Sequence, residues 1–128
     1  MNKKHLPALA VMLTAFLIVA VTAITAFAAE EKTVPVKGMV TLVDLGARSC
    51  IPCKMMAPIL EKMEKRYAGK AAVIFLDVWK DPRPAQYFRI RGIPTQIFFD
   101  KDGNEVYRHL GYMSEEDIVA QFNKMGIK

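Results

Sequence analysis

The chain has 128 residues, 52% of them hydrophobic, with 18 lysines and arginines against 13 acidic residues and a formal net charge of +5. That length suits one domain of modest size plus a leader. The basic residues are interleaved with acidic ones rather than gathered into a stripe, which argues against a nucleic-acid partner.

Lys3 and Lys4 precede Leu6 to Ala29, a run of 24 positions without a formal charge, and Ala26-Phe27-Ala28 supplies the small-x-small pattern of a signal peptidase site. Residues 1–28 therefore read as an export signal. The run is also long enough to stay in the bilayer as an anchor, so a cleaved signal peptide and a retained signal anchor are both open. In either case the positive end stays in the cytoplasm and the rest of the chain crosses the membrane. Without Lys3 and Lys4 the balance is 16 basic to 13 acidic residues, the charge of an ordinary solvated surface.

Residues 29–38 are short and polar, interrupted by Pro35 and Gly38, and suit a linker or a peripheral extended strand at Thr33 to Val36. Met39 to Leu45 is apolar on both faces, as expected of a central strand covered on both sides. Asp44 is its one charged residue. Desolvation there raises a carboxyl pKa, so Asp44 is expected either to hold a proton near neutral pH or to engage helix N–H groups at the strand end.

Cys50 and Cys53 are the only cysteines, in Ser49-Cys50-Ile51-Pro52-Cys53-Lys54 at the start of a helical pattern. At i and i+3 they share one helix face, and their sulfurs can meet without large backbone movement. A crosslink over so short a loop contributes little stability, which favours a pair that opens and closes over a structural staple. A helix N-terminus also stabilises a thiolate at the first cysteine.

From Pro52 to Tyr67 the residues Met56, Ile59, Leu60, Met63 and Tyr67 recur at helical spacing, with Pro58 expected to kink the helix. Met55, Met56 and Met63 raise a copper reading, since thioethers and thiolates suit Cu(I), but the spacing favours core packing for Met56 and Met63. Ala71 to Val78 is a second apolar strand, parallel to the first through a right-handed crossover. A short helix is expected near Pro84 to Phe88, and Trp79 is expected to pack at a strand end. Thr95 to Phe99 follows Ile93-Pro94, where a cis bond would expose an unpaired backbone edge at Ile93. Asp100 to Asn104 is a hairpin turn, and Glu105 to Leu110 returns antiparallel. Ser114 and Asp117 resemble a capping box for a closing helix carrying Ile118, Phe122 and Met125. His109 has no histidine partner and reads as a surface residue.

From about Met39 to Lys128 this order of elements resembles the thioredoxin family, a central mixed sheet flanked by helices in the α/β class, here preceded by the hydrophobic leader. The resemblance rests on Val43-Asp44, Cys50-Ile51-Pro52-Cys53-Lys54, Pro58, Arg91-Gly92-Ile93-Pro94-Thr95, Asp102-Gly103 and Gly111. It implies a domain over residues 39–128 with Cys50 as the exposed nucleophile and Cys53 as the buried resolving thiol. It further implies Asp44 as proton acceptor for Cys53, cis Pro94 beside the sulfurs, and Ile51, Pro52, Gly92, Ile93 and Thr95 around the substrate. Ser49 and Ile51 replace the family's usual Trp and Gly. Gly46 stands where an aromatic is usual, and Phe75 where a lysine often accompanies the buried acid.

The implied activity is thiol–disulfide exchange, with the Cys50–Cys53 disulfide as the redox group and no further cofactor or metal. Pro52 between the cysteines and Ile93 before Pro94 resemble reducing members of the family. The expected protein is a monomer in the bacterial periplasm or on the outer face of the cytoplasmic membrane. It would reduce protein disulfides there and be recharged by a membrane thiol electron carrier. A disulfide-introducing oxidant, a Cu or Zn module and a redox-inert peptide binder are the alternatives; two thiolates alone leave a tetrahedral metal site half filled.

Overall fold

The computed structural model describes residues 33–128. The expected signal or anchor at 1–28 and the start of the 29–38 linker lie outside the described residues. Seven elements follow one another: β1 (Val40–Gly46), α1 (Ile51–Arg66), β2 (Ala71–Asp77), α2 (Arg83–Tyr87), β3 (Thr95–Phe99), β4 (Glu105–Leu110) and α3 (Glu115–Lys124). They form a four-stranded mixed sheet in the order β2-β1-β3-β4. β1 runs parallel to β2 and antiparallel to β3, and β4 is antiparallel to β3.

The continuous apolar run of β1 is explained by its central place, with all seven residues buried. Alternate side chains serve opposite faces. Val40 and Leu42 join Phe98 against Met56, Leu60 and Met63 of α1 and Ile118 and Phe122 of α3. Val43 and Leu45 join Ile97 and Phe99 on the other face, toward Ala85 of α2 and the adjoining Phe88. Met56 and Met63 are fully buried, as their helical spacing requires, whereas Met55 is exposed. α1 continues through Pro58 as one helix.

Thr33 to Val36 is not a strand. Pro35 has no N–H to donate, and the Val36 N–H is taken by the Thr41 hydroxyl at 3.1 Å, so no ladder can form there. Among the described residues β2 lies at one edge of the sheet, and Phe75 is partly exposed. Trp79 does not pack at the strand end; it is 65% exposed, its N–H held at 3.1 Å by Asp77 Oδ1. The closing helix is capped as expected, Ser114 Oγ accepting from the Asp117 N–H at 3.1 Å.

Candidate active site

The ends of β1 and β2, running parallel, deliver the chain to one edge of the sheet, and α1 starts there. Cys50 is the N-cap of α1 and its carbonyl accepts the first helical bond, from the Lys54 N–H at 2.9 Å. Pro52 lies in the first turn, where its missing N–H costs no helical bond. No acidic side chain stands in that turn to oppose a thiolate, and the unpaired N–H groups and helix dipole favour one. Cys50 and Cys53 are joined in a disulfide with their Cα atoms 5.2 Å apart. Cys50 is half-buried and Cys53 only 4% exposed, so an incoming disulfide reaches Cys50 first.

Asp44 lies two residues before the end of β1 and is fully buried. Its carboxyl is raised from the ordinary 3.8 to about 6, first because burial penalises the charge, an effect reduced by a hydrogen bond from Gln96. That bond, Gln96 Nε2 to Asp44 Oδ1, measures 2.7 Å. The expected contact with helix N–H groups is not made; Gln96 on the facing strand takes its place, because Asp44 and Gln96 are register partners between β1 and β3. Among the described residues no ion pair includes Asp44, and Phe75 is its register partner on β2.

Gly46 brings the acid and the thiol together. A Cβ at this position would stand 3.2 Å from Phe75, 3.3 Å from Cys53 Sγ and 3.4 Å from Asp44 Oδ2. Each contact is tighter than or at the limit of ordinary packing, so any side chain here would press on the sulfur and carboxylate. A cleft of about 350 Å³ opens on the flank of Cys53, between Arg48, Lys54 and Phe75. Arg48 stacks its guanidinium over the Phe75 ring, 5.9 Å from the centroid.

The Ile93–Pro94 bond is cis. Thr95 pairs with Leu45 of β1, which sets Gly92, Ile93 and Pro94 at the same sheet end as Gly46. Thr95 Oγ1 donates to the Gly92 carbonyl at 2.7 Å, and the Gly111 N–H donates to the Pro94 carbonyl at 2.8 Å. Pro94 and Thr95 are buried and Gly92 and Ile93 half-buried, while Ile51 stands 75% exposed beside the cysteines.

Sequence reasoning missed four contributors. Gln96 was hidden inside an apolar run, although a polar residue facing Asp44 across a strand pair was the available signal. Leu110 and Tyr112, both exposed, flank the Gly111 that clasps Pro94. Asp77 accepts from the backbone N–H groups of Arg48, Trp79 and Lys80, tying together the loops at this sheet end. Among the described residues no group of three or more His, Cys, Asp or Glu side chains is placed to hold a metal.

A disulfide at a helix start, with one sulfur reachable and the other buried near a carboxyl of raised pKa, is the machinery of a thiol–disulfide oxidoreductase. A family model described as Thioredoxin matches residues 20–124. A thioredoxin of Staphylococcus aureus is 40% identical over 89 residues, 70% of this chain and 85% of that protein. One from Staphylococcus saprophyticus is 42% identical over 85 residues, 66% of this chain and 81% of that protein. The chain belongs to the thioredoxin family.

Proposed function

We propose that this oxidoreductase works outside the cytoplasmic membrane and reduces protein disulfides there. Cys50 thiolate attacks one sulfur of the substrate disulfide; an S–S bond forms to Cys50 as the substrate's own S–S bond breaks, and the departing sulfur takes a proton. Cys53 passes its proton to Asp44 and attacks Cys50 Sγ. The Cys50–Cys53 bond forms, the second substrate sulfur leaves, and two electrons have moved to the substrate.

The observation that carries this order of events is the contrast between the reachable Cys50 and the buried Cys53, whose sulfur shares the Gly46 contact with Asp44 Oδ2. Ile51, Pro52, Gly92 and Ile93 form the surface that receives the substrate strand, with Pro94 at the same sheet end; Thr95, expected to touch the substrate, is buried beneath that surface and holds the Gly92 carbonyl instead. The external location is supported by Lys3 and Lys4 before the uncharged run. Oxidising surroundings drain a reductant, so a membrane-embedded thiol electron carrier must return two electrons to Cys50–Cys53 after each turnover.

The test is the reduction potential of the full chain in detergent, equilibrated against glutathione buffers and read by alkylation, together with labelling of intact cells by a membrane-impermeant maleimide. A value near the ~−270 mV of thioredoxin, with Cys50 labelled from outside, is the expected result. A value near the ~−120 mV of a dedicated oxidant would reverse the direction of electron flow. Protection of Cys50 in intact, pre-reduced cells would move the protein to the other side of the membrane.

A further inference from the structure

Gln96 has no role in the exchange as described, yet it is fully buried, and burying an amide is costly unless its polar atoms are used. One of its two ends is used. Nε2 donates to Asp44 Oδ1 at 2.7 Å, while among the described residues Oε1 has no hydrogen-bond partner, and neither has Asp44 Oδ2. The free carboxylate oxygen is the one on the Gly46 side, 3.4 Å from the point that also lies 3.3 Å from Cys53 Sγ.

We propose that Gln96 is a positioning residue for the exchange reaction: by holding Oδ1 it fixes the Asp44 carboxylate with Oδ2 as the oxygen left to take the Cys53 proton. The proposal rests on the reading of Asp44 as proton acceptor and adds to it the group that aims the acid. The strand register makes the aim rigid, since Asp44 and Gln96 are directly opposed on neighbouring buried strands. An amide suits the task better than a cation. It stabilises the carboxylate by one hydrogen bond while leaving it basic enough to accept a proton near neutral pH.

The other groups around Asp44 do not duplicate this role. β2 offers Phe75 opposite it, and α1 offers the thiol of Cys53. The charged groups beyond, Arg48, Lys54, Glu61 and Glu64, line the cleft on the flank of Cys53, and Arg48 is stacked on Phe75.

The experiment is a pH titration of the Asp44 ¹³C-carboxyl signal in the reduced full chain, paired with the rate at which Cys53 resolves a preformed mixed disulfide on Cys50. Gln96→Leu removes the donor and is expected to raise the Asp44 midpoint by about one pH unit. At pH 6 resolution slows about fivefold, because the ionised fraction drops from about half to about a tenth, and it returns to the wild-type plateau by pH 8. Gln96→Glu keeps the length but replaces the donor by a second acid, and shifts the midpoint in the same direction. An unchanged midpoint in both variants overturns the role of Gln96, as does an equal slowing by Gln96→Leu in an Asp44→Asn background. If the midpoint moves but Asp44→Asn resolves at the wild-type rate, the acceptor reading of Asp44 fails and takes this proposal with it.

Discussion

Leu42 and Asp44 lie two residues apart on the same strand and the same face, and each is opposed by a residue of β3, Leu42 by Phe98 and Asp44 by Gln96. All four are fully buried. The first pair has no polar side-chain atom to satisfy and packs into the core with Met56, Met63 and Phe122, Phe98 and Phe122 meeting edge to face at 5.4 Å. The second pair leaves two oxygens without partners among the described residues. One step along the strand, the fold changes from burying surface for stability to holding a carboxyl where its charge is costly. The difference places the candidate site within the core itself, at the end where β1 meets the cysteine helix.

The largest effect should come from breaking the apolar pair. Phe98→Ala is expected to destabilise the protein by about 3–5 kcal/mol in chemical denaturation, through lost transfer energy and the cavity left behind. An effect below about 1 kcal/mol would mean that the core around Leu42 is as loosely built as the site.

Neutralising the polar pair should act in the opposite direction and depend on pH. The Asp44 carboxyl titrates near 6 in the folded chain against an ordinary 3.8. The folded state therefore binds the proton more tightly, and its stability falls as pH rises from about 4 to about 6, then levels off. Asp44→Asn removes this penalty, with an expected gain of about 3 kcal/mol at pH 8 and little at pH 3.5, while slowing Cys53 resolution about a hundredfold. Denaturation curves of both proteins across that range check the sign; a gain that is largest at low pH would contradict it.

Gly46→Ala sharpens the contrast by touching only the polar end. The added methyl meets Phe75, Cys53 Sγ and Asp44 Oδ2 at 3.2–3.4 Å, so it should cost about 1–2 kcal/mol and displace the sulfur from the carboxyl. A readout of resolution rate together with stability separates those two consequences. The smallest effect is expected away from both pairs. Lys62 and Glu115 join α1 to α3 by an exposed ion pair at 2.7 Å, and Lys62→Ala should change stability by less than about 0.5 kcal/mol, vanishing at 1 M salt.

Much of this was legible in the residues. The apolar runs of β1 and β3 and the helical stripe of α1 are local patterns that report which residues are buried, Ser114 marked the start of α3, and Cys50-x-x-Cys53 announced its own chemistry. The direction of the Asp44 shift also followed from a lone acid in a buried strand. Of the two readings of Thr33 to Val36, linker or peripheral strand, the structure takes the linker, because Thr41 captures the Val36 N–H, a contact that the short polar segment itself does not announce. Trp79 was misplaced because nothing in its neighbourhood in sequence reports that β2 is a sheet edge.

The sequence by itself determined the elements, their order and the redox pair, because helix and strand periods and the reactivity of a cysteine at a helix start are properties of a few consecutive residues. Only the tertiary structure decided what surrounds that pair. Gln96 lies 52 positions from Asp44, and Gly111 comes to Pro94 through a hairpin; such contacts are set by strand register. Register is a collective outcome of burying every strand at once, and so the partner of the buried acid became visible only when the sheet was assembled.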